Sequence, residues 1–322
     1  MNNYLITGIT GQDGVFLTNT LLNSDTTSKI YGISRNQKND LFYKQLYTLN
    51  NFDESRIKIL TVNLSDKNIV HSLLSDLKPS QIYNFSGPSS VYKSYNQPDF
   101  TKNEITGIFN NLTNSLIKLN YFPKFFQSSS SEMFGKKSKL NLTVEDPFSP
   151  ISPYAEAKLI NHFKVLELYK KYNWKIYSGI MFNHESEFRK NEYLIMKIIQ
   201  AAYEIKNKSR NNLTVGSLDY KRDWLYAQDT VDAIHMMVNF GYSNSHIISS
   251  GKVHSIKQMI TAIFEYFSLD WNKYVELDET LLRDGDPIEI SGNPEKLIKE
   301  TGWSPKYSFE DMILKILNSK FS

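Results

Sequence analysis

Residues 4–17 read Tyr-Leu-Ile-Thr-Gly-Ile-Thr-Gly-Gln-Asp-Gly-Val-Phe-Leu, two apolar runs separated by a glycine-punctuated turn. This order predicts a strand, a tight turn and the start of a helix. Gly8, Gly11 and Gly14 permit positive φ, close approach of the backbone to a phosphate and tight helix packing, and a helix N-terminus offers N–H donors. The stretch therefore predicts a pyrophosphate site, with an ordinary strand-to-helix turn as the alternative.

The next strand-like run, residues 29–35, ends in Ser34 and Arg35, and no carboxylate follows until Asp40. An acidic residue at this strand end would accept from the ribose 2′-hydroxyl of NAD, whereas an arginine accommodates the 2′-phosphate of NADP. We therefore predict NADP as the cofactor. NAD is the alternative if Arg35 is only a solvated surface residue.

Composition excludes several classes of protein. The chain has 322 residues, a net charge of +3, six histidines and no cysteine. The absence of cysteine excludes disulfides, thiol nucleophiles and thiolate metal sites, and the histidines lack paired spacing, so we expect no metal. The small charge does not indicate a nucleic-acid partner. No apolar run approaches ~18 residues and the sequence begins with a core strand, so we expect no membrane span or signal peptide and a cytoplasmic location.

Strand-like and helical runs alternate through the first half of the chain, at 57–62, 67–77, 81–85, 99–119, 124–129, 154–172 and 175–181. This alternation predicts an α/β fold, a Rossmann-type doubly wound parallel sheet. Residues 1–182, with about 226–250 returning to the sheet, are predicted to form the cofactor-binding domain. Residues 183–225 and 251–322 are predicted to form a smaller C-terminal substrate-binding lobe.

Chemically active side chains occur in two segments, Ser-Ser-Ser-Glu at 129–132 and Ser-Pro-Tyr-Ala-Glu-Ala-Lys at 152–158. Tyr154 and Lys158 would share a helix face, where the ammonium can lower the phenol pKa, and a phenolate can take an alcohol proton as hydride leaves. A strand ending in the serines can place Ser130 near the phenol. Glu132 adds a carboxylate suited to loss of water. An ordinary i,i+4 pair and a surface carboxylate are the plainer alternatives.

The Tyr-x-x-x-Lys spacing recurs at Tyr193 and Lys197. No serine-rich strand end precedes Tyr193, and Leu194, Ile195 and Met196 indicate a buried helix stripe. We therefore interpret Tyr154 as the catalytic tyrosine and the second tyrosine as an accidental match.

Over nearly its whole length the chain resembles the extended short-chain dehydrogenases/reductases and, within them, the GDP-mannose 4,6-dehydratases. The matching motifs are Thr-Gly-Ile-Thr-Gly-Gln-Asp-Gly at 7–14, Ile-Tyr-Asn at 82–84, the serine segment at 129–135, the segment at 152–158, Phe-Asn-His-Glu-Ser at 182–186 and Arg-Asp-Trp at 222–224. The resemblance implies conversion of a GDP-hexose to a GDP-4-keto-6-deoxy sugar, by oxidation at C4, elimination of water across C5 and C6, and return of the hydride to C6.

The resemblance also assigns roles to residues of this chain. The implied catalytic residues are Ser130, Glu132, Tyr154 and Lys158. The implied cofactor-binding residues are Gly8, Thr10, Gly11, Gln12, Asp13, Gly14, Arg35, Asn63, Leu64 and Phe85, together with Tyr154 and Lys158. The implied substrate-binding residues are Ser89, Asn183, Lys197, Arg222 and Arg283; for Arg222, a salt bridge with Asp223 is the alternative.

Four departures from the family pattern bear on the substrate and the assembly. Pro88 stands where the family has Gln, residues 187–190 replace Pro-Arg-Arg-Gly, Asn63 replaces an Asp, and the stretch after Arg35 lacks the arginine-rich loop. The substrate can therefore be GDP-mannose or a relative such as GDP-N-acetylglucosamine or a GDP-heptose. A homodimer through the helices near 99–119 and 153–172 is expected, with a tetramer as the alternative.

Two other functions stay open from the sequence. A nucleotide-sugar 4-epimerase or 4-oxidase would share Tyr154 and Lys158 but would not need Glu132. A non-catalytic dinucleotide-binding regulator would need only the glycine turn.

Overall fold

The computed structural model describes residues 2–35, 39–136 and 139–321, which form an α/β structure. The strands, in chain order, are β1 (Asn3–Thr7), β2 (Lys29–Ser34), β3 (Ile57–Thr61), β4 (Gln81–Asn84), β5 (Lys124–Ser130), β6 (Lys139–Leu142), β7 (Ile176–Met181), β8 (Asn183–Glu185), β9 (Leu213–Val215), β10 (Lys221–Arg222), β11 (Trp224–Tyr226), β12 (Ser245–Ile248), β13 (His254–Ser255), β14 (Val275–Leu277) and β15 (Glu289–Gly292).

The helices lie mostly between consecutive strands, as expected for crossover connections. They are α1 (Gln12–Ser24), α2 (Asp40–Leu49), α3 (Lys67–Leu77), α4 (Val91–Asn96), α5 (Pro98–Lys118), α6 (Pro153–Tyr172), α7 (Leu194–Lys206), α8 (Ala227–Phe240), α9 (Ile256–Tyr266), α10 (Glu295–Thr301) and α11 (Phe309–Phe321). In the described ranges, none of these helices combines the length and the apolar character needed to cross a membrane.

The large sheet has the strand order β12-β7-β5-β4-β1-β2-β3, and every pairing in it is parallel. Successive side chains of a strand point to opposite faces, and here each face is covered by helices. Leu5 and Phe125 pack with the helices α3, α5 and α6, while Ile6 and Phe126 pack on the opposite face with α1 and α8. This is the doubly wound sheet that the sequence predicts.

A second group of strands is separate from the large sheet. One small sheet has the order β13-β10-β15-β6, and the pairs β11-β8 and β14-β9 stand apart from it. Most of these strands come from the part of the chain predicted as the substrate-binding lobe. The division of the chain into two domains at the predicted boundaries stays a prediction.

Asp223 holds the segments of this second group together. Its carboxylate is fully buried and accepts hydrogen bonds from the Ser250 amide at 2.7 Å, the Ser250 hydroxyl at 2.6 Å, the Gly251 amide at 2.9 Å and the Gly292 amide at 3.3 Å. Burial raises the pKa of Asp223 to about 6, although these hydrogen bonds oppose the rise. One side chain thus joins three separate chain segments.

The raised pKa of Asp223 predicts a stability that depends on pH. Between about pH 4 and pH 6 the folded state binds more protons at this carboxyl than the unfolded state, so the free energy of unfolding should fall as pH rises through that range. Over this pH range we expect the free energy of unfolding of the native protein to fall by about 1–3 kcal/mol relative to that of Asp223→Asn, in which this side chain cannot titrate. Denaturant unfolding of both proteins from pH 4 to pH 7 measures it, with Asp76→Asn on the exposed side of α3 as the control. A constant difference between native and Asp223→Asn would contradict the account.

Candidate active site

The glycine turn follows β1 and leads directly into α1. Gly8 has φ of +72°, and a Cβ there would lie 3.1 Å from the carbonyl carbon of Phe85. Gly14 lies inside α1, where a Cβ would lie 2.3 Å from the carbonyl oxygen of Ile9. Gly11 is the N-cap of α1 with φ of −80°, and no side chain caps the helix there. Gly11 is therefore suited to this position because it leaves the helix N-terminus open to a ligand, and not because it has positive φ.

Other predicted cofactor residues line the same edge of the sheet. Arg35 follows β2, its side chain is 71% exposed, and its Nη1 lies 3.8 Å from Oε2 of Glu104. Asn63 is exposed after β3, next to the buried Leu64, and Phe85 follows β4. Thr10 is exposed in the turn itself. The stretch after Arg35 that departs from the family pattern includes residues 36–38, which lie outside the described residues.

Gln12 and Asp13 join the glycine turn to the Asn-His-Glu-Ser segment. Nε2 of His184 lies 3.0 Å from Oδ1 of Asp13, and the Ser186 hydroxyl donates to Oε1 of Gln12 at 2.7 Å. Burial disfavours the charged form of His184, but Asp13 outweighs it and raises the histidine pKa. The predicted cofactor site and β8 of the second group of strands are therefore physically connected.

The four predicted catalytic residues come together at the end of β5. Ser152 caps α6 by accepting from the Ala155 amide at 3.1 Å, and Pro153 is the first helical residue. Tyr154 therefore lies in the first turn, where the Ser130 side chain is near enough to the phenol to lower its pKa against the larger rise caused by burial. The Ser130 hydroxyl also accepts from the Glu132 amide at 3.2 Å, at the start of the 3₁₀ turn Ser131–Phe134. One hydroxyl thus contacts the phenol and fixes the turn that carries the carboxylate.

Lys158 lies one helical turn after Tyr154, on the same face, with Nζ 5.6 Å from the centre of the phenol ring. Its ammonium donates to the carbonyl of Ser128 at 2.8 Å and to the Ser128 hydroxyl at 3.0 Å. Burial lowers the pKa of Lys158 to about 8 and raises the pKa of Tyr154, while the nearby Ser130 side chain opposes the latter rise. The phenol pKa is therefore raised overall in this structure, and not lowered as the sequence predicts, because burial dominates.

A chain of buried polar side chains crosses the carboxyl ends of three neighbouring strands. The Thr7 hydroxyl donates to Oδ1 of Asn84 at 2.6 Å, and Nδ2 of Asn84 donates to Oε1 of Gln127 at 2.7 Å. Gln127 then donates to the carbonyl of Ser128 at 3.0 Å, the same carbonyl that binds Lys158. The chain connects Thr7, next to the glycine turn, to Lys158, the predicted catalytic lysine, without a break.

Two of the predicted substrate-binding residues meet at one carboxylate, Asp286. Nη2 of Arg222 lies 2.9 Å from Oδ2, and Nη2 of Arg283 donates to Oδ1 at 2.8 Å. Arg283 also lies 3.5 Å from Oε1 of Glu132. The alternative pairing of Arg222 with Asp223 is wrong, since Asp223 is taken up by backbone amides. Sequence reasoning missed Asp286, although its spacing of three from Arg283 was a usable signal.

The remaining predicted substrate-binding residues are exposed to solvent. Asn183 begins β8, Lys197 lies in the first turn of α7, and both are exposed. Ser89 is exposed after β4, and its hydroxyl lies 2.9 Å from the hydroxyl of Tyr193. Tyr193 is the N-cap of α7 rather than a member of it, so it does not share a helix face with Lys197.

The geometry can be compared with known proteins. Residues 5–316 match the GDP-mannose 4,6 dehydratase family. The chain belongs to this family. It is 30% identical to GDP-mannose 4,6 dehydratase 1 of Arabidopsis thaliana over 316 residues, which cover 96% of this chain and 87% of the relative. The family resemblance seen in the sequence is thereby confirmed.

Solved structures confirm the fold of this family member. RMD from Pseudomonas aeruginosa, complexed with NADPH, superposes with a TM-score of 0.81 at 20% identity, covering 99% of this chain and 98% of that one. dTDP-glucose 4,6-dehydratase from Bacillus anthracis, in complex with NAD, gives 0.84 at 20% identity, with 100% and 98% covered. The Rossmann-type prediction is therefore correct.

Two glycines in helices provide a matched test of the cofactor turn in this family member. Gly14→Ala places a methyl group against the Ile9 backbone, so we expect a loss of at least about 2 kcal/mol in stability and weaker dinucleotide binding. Gly107→Ala in α5 meets nothing within 4 Å and should stabilise by about 0.5–1 kcal/mol. Thermal unfolding and fluorescence titration measure both. Equal effects at the two positions would contradict the packing argument.

Proposed function

We propose that this protein converts a GDP-hexose to the GDP-4-keto-6-deoxy sugar, with NADP as a cofactor regenerated in each turnover. The observation that carries the proposal is the position of the Ser130 hydroxyl, which contacts the Tyr154 phenol and caps the turn of Glu132. Oxidation of an alcohol requires the Ser130 and Tyr154 hydroxyls, and elimination of water requires the Glu132 carboxylate. A family member with both sets at one strand end is suited to the two reactions in sequence.

The residues at the sheet edge fit a dinucleotide. Gly8 and Gly14 keep the turn tight, and Gly11 leaves the N-terminus of α1 without a side-chain cap, so its N–H groups can bind a pyrophosphate. When bound, the nicotinamide ring supplies the acceptor for a hydride from C4 and the donor that returns it to C6. Arg35 after β2 would bind the 2′-phosphate, and Asn63, Leu64 and Phe85 would border the adenosine and nicotinamide ends.

Tyr154 would act as the base for the sugar 4-hydroxyl. Its side chain lies at the N-terminal turn of α6, where the helix dipole favours a negative phenolate, and Ser130 can donate to the same oxygen. Lys158 would bind the ribose of the cofactor and add a positive charge below the phenol ring. Burial raises the phenol pKa. The helix dipole, Ser130 and Lys158 must together offset that rise when the alcohol proton is transferred.

Glu132 would remove the C5 proton after oxidation, since a ketone at C4 acidifies that position. The same carboxyl group would then give the proton to the C6 hydroxyl, which leaves as water. Its side chain is 30% exposed and Tyr154 is also partly exposed, so both groups can reach a bound sugar. Arg283, 3.5 Å away, orients the carboxylate toward the lobe.

The guanidinium groups of Arg222 and Arg283 would bind the diphosphate of the substrate, because both converge on one anion, the Asp286 carboxylate. Asn183 and Lys197 would complete the nucleotide site from the rim. The hexose is mannose or a relative such as N-acetylglucosamine or a heptose, with Ser89 as a contact. These roles place the substrate between the large sheet and the second group of strands, which is the proposed division into two domains.

We also propose a homodimer through α5 and α6, with a tetramer as the alternative. Apolar side chains on these helices are about half exposed, including Phe100 at 51%, Ile160 at 54% and Phe163 at 53%. Adjacent exposed apolar groups of this size favour burial against a second copy. A monomer mass by light scattering would contradict the proposal.

The function is tested with native protein and Glu132→Gln on a panel of GDP-sugars that includes GDP-mannose and GDP-N-acetylglucosamine. We expect native protein to remove one water from one sugar, seen by mass spectrometry, without net reduction of cofactor. Glu132→Gln should lose about 10²–10⁴-fold of this activity while oxidation at C4 continues, because only the elimination lacks its base. Glu145→Gln, on an exposed turn, is the control.

Two outcomes would contradict the dehydratase. Full water loss by Glu132→Gln would remove the proposed role of that carboxylate. Reduced cofactor that accumulates with native protein, without water loss, would identify a 4-oxidase instead.

The cofactor preference is tested at Arg35. Arg35→Ala should weaken NADP binding about tenfold or more and leave NAD binding nearly unchanged, because only NADP has the 2′-phosphate. Glu104→Gln removes the acidic neighbour of Arg35 and should not weaken NADP binding. Fluorescence titration with both dinucleotides measures this, and equal affinity of the native protein for NAD and NADP would contradict the assignment.

A further inference from the structure

We propose that Tyr193 is a specificity-determining residue of the sugar pocket, whose hydroxyl acts together with the Ser89 hydroxyl to bind the ring substituents of the hexose. The inference rests on the proposed function, since it assigns a residue to the substrate of the same site. Sequence reasoning dismissed Tyr193 as an accidental repeat of the catalytic spacing, and the structure gives it a different environment.

The backbone at Tyr193 is fixed by its place at the start of α7. As the N-cap residue it has φ of −88° and ψ of 154°, and its carbonyl accepts from the Lys197 amide at 3.0 Å. The ring therefore cannot move with a flexible loop, because the first turn of the helix holds its main chain.

The ring of Tyr193 is held from one side by a cation. The guanidinium carbon of Arg189 lies 3.6 Å from the ring centre, which is a close cation–π contact. Arg189 is in turn 3.0 Å from Oε2 of Glu185, a buried carboxylate of the Asn-His-Glu-Ser segment. This stack fixes the direction of the phenol ring.

The hydroxyl of Tyr193 lies 2.9 Å from the hydroxyl of Ser89. A second contact runs parallel to it, since Nζ of Lys93 lies 2.6 Å from Oε2 of Glu192. The segment after β4 and the segment before α7 therefore meet at two neighbouring points. The two hydroxyls form a polar pair at the junction, and each can both donate and accept.

This junction joins Ser89, a predicted substrate-binding residue, to the start of α7. Tyr193 and Arg189 also lie within electrostatic range of the Tyr154 phenol. A hexose whose 4-hydroxyl meets Tyr154 would present its other ring substituents to nearby walls. Paired hydroxyls suit sugar hydroxyls or an acetamido group, and a site built to make such bonds discriminates strongly against a sugar that cannot make them.

The experiment compares kcat/KM of the native protein, Tyr193→Phe and Ser89→Ala for each GDP-sugar that the native protein dehydrates. If two GDP-sugars are accepted, we expect Tyr193→Phe to change the ratio of their kcat/KM values by about tenfold. If only one is accepted, its kcat/KM should change by about tenfold; in both cases the change should be mainly in KM. The double variant Tyr193→Phe/Ser89→Ala should lose little more kcat/KM than either single variant, because the two hydroxyls act as a pair. GDP affinity should be unchanged.

Tyr203→Phe is the matched control. Tyr203 lies on the same helix, but its ring packs against Phe267 and Phe321, so its hydroxyl should not affect any sugar. If Tyr193→Phe only lowers the unfolding temperature and leaves all kcat/KM values at the native level, the residue is structural and the inference is wrong. If the native protein dehydrates no GDP-sugar, the proposed function fails instead, so the two failures are distinguishable.

Discussion

The buried polar chain across the sheet edge is the constraint on which the site depends. Thr7, Asn84, Gln127 and Ser128 lie where water cannot reach them, so each must find its partner within the protein. Their bonds close only if β1, β4 and β5 keep the observed register, because a shift of one residue would turn each side chain to the other face. The last carbonyl in the chain also holds Lys158. Packing of the sheet and placement of Lys158 are therefore one requirement.

Local features of this arrangement could be predicted from the sequence. The helix α3 begins and ends where its apolar spacing predicts, and the start of α6 follows from a Ser-Pro pair that caps it. The turn around Gly8 was also predictable, since its φ of +72° is a conformation that glycine tolerates and most residues do not. Such signals act over a few residues, and a single sequence contains them in full.

Contacts between distant segments could not be predicted in this way. Asp286 pairs with Arg222 across 64 positions, a separation that leaves no local pattern. The same limit applies to the pKa of Tyr154, because burial is the largest cause of its rise and depends on packing from several elements. Sequence spacing placed Lys158 on the correct helix face, but it could not show that Ser128 would take up the ammonium.

The side chains of the site are held by two different parts of the molecule. Tyr154 and Lys158 lie on α6, and Lys158 also bonds to Ser128 of the large sheet, where the proposed hydride transfer would need fixed distances. Glu132 is 30% exposed, and its neighbour Arg283 lies between β14 and β15, where it also binds Asp286. A charge brought to Arg283 would therefore alter the surroundings of the Glu132 carboxylate directly, whereas Lys158 is held by the carbonyl and hydroxyl of Ser128. Under the proposed roles, the substrate's nucleotide would be coupled to the elimination step through this one guanidinium, while the oxidation step would depend on the sheet.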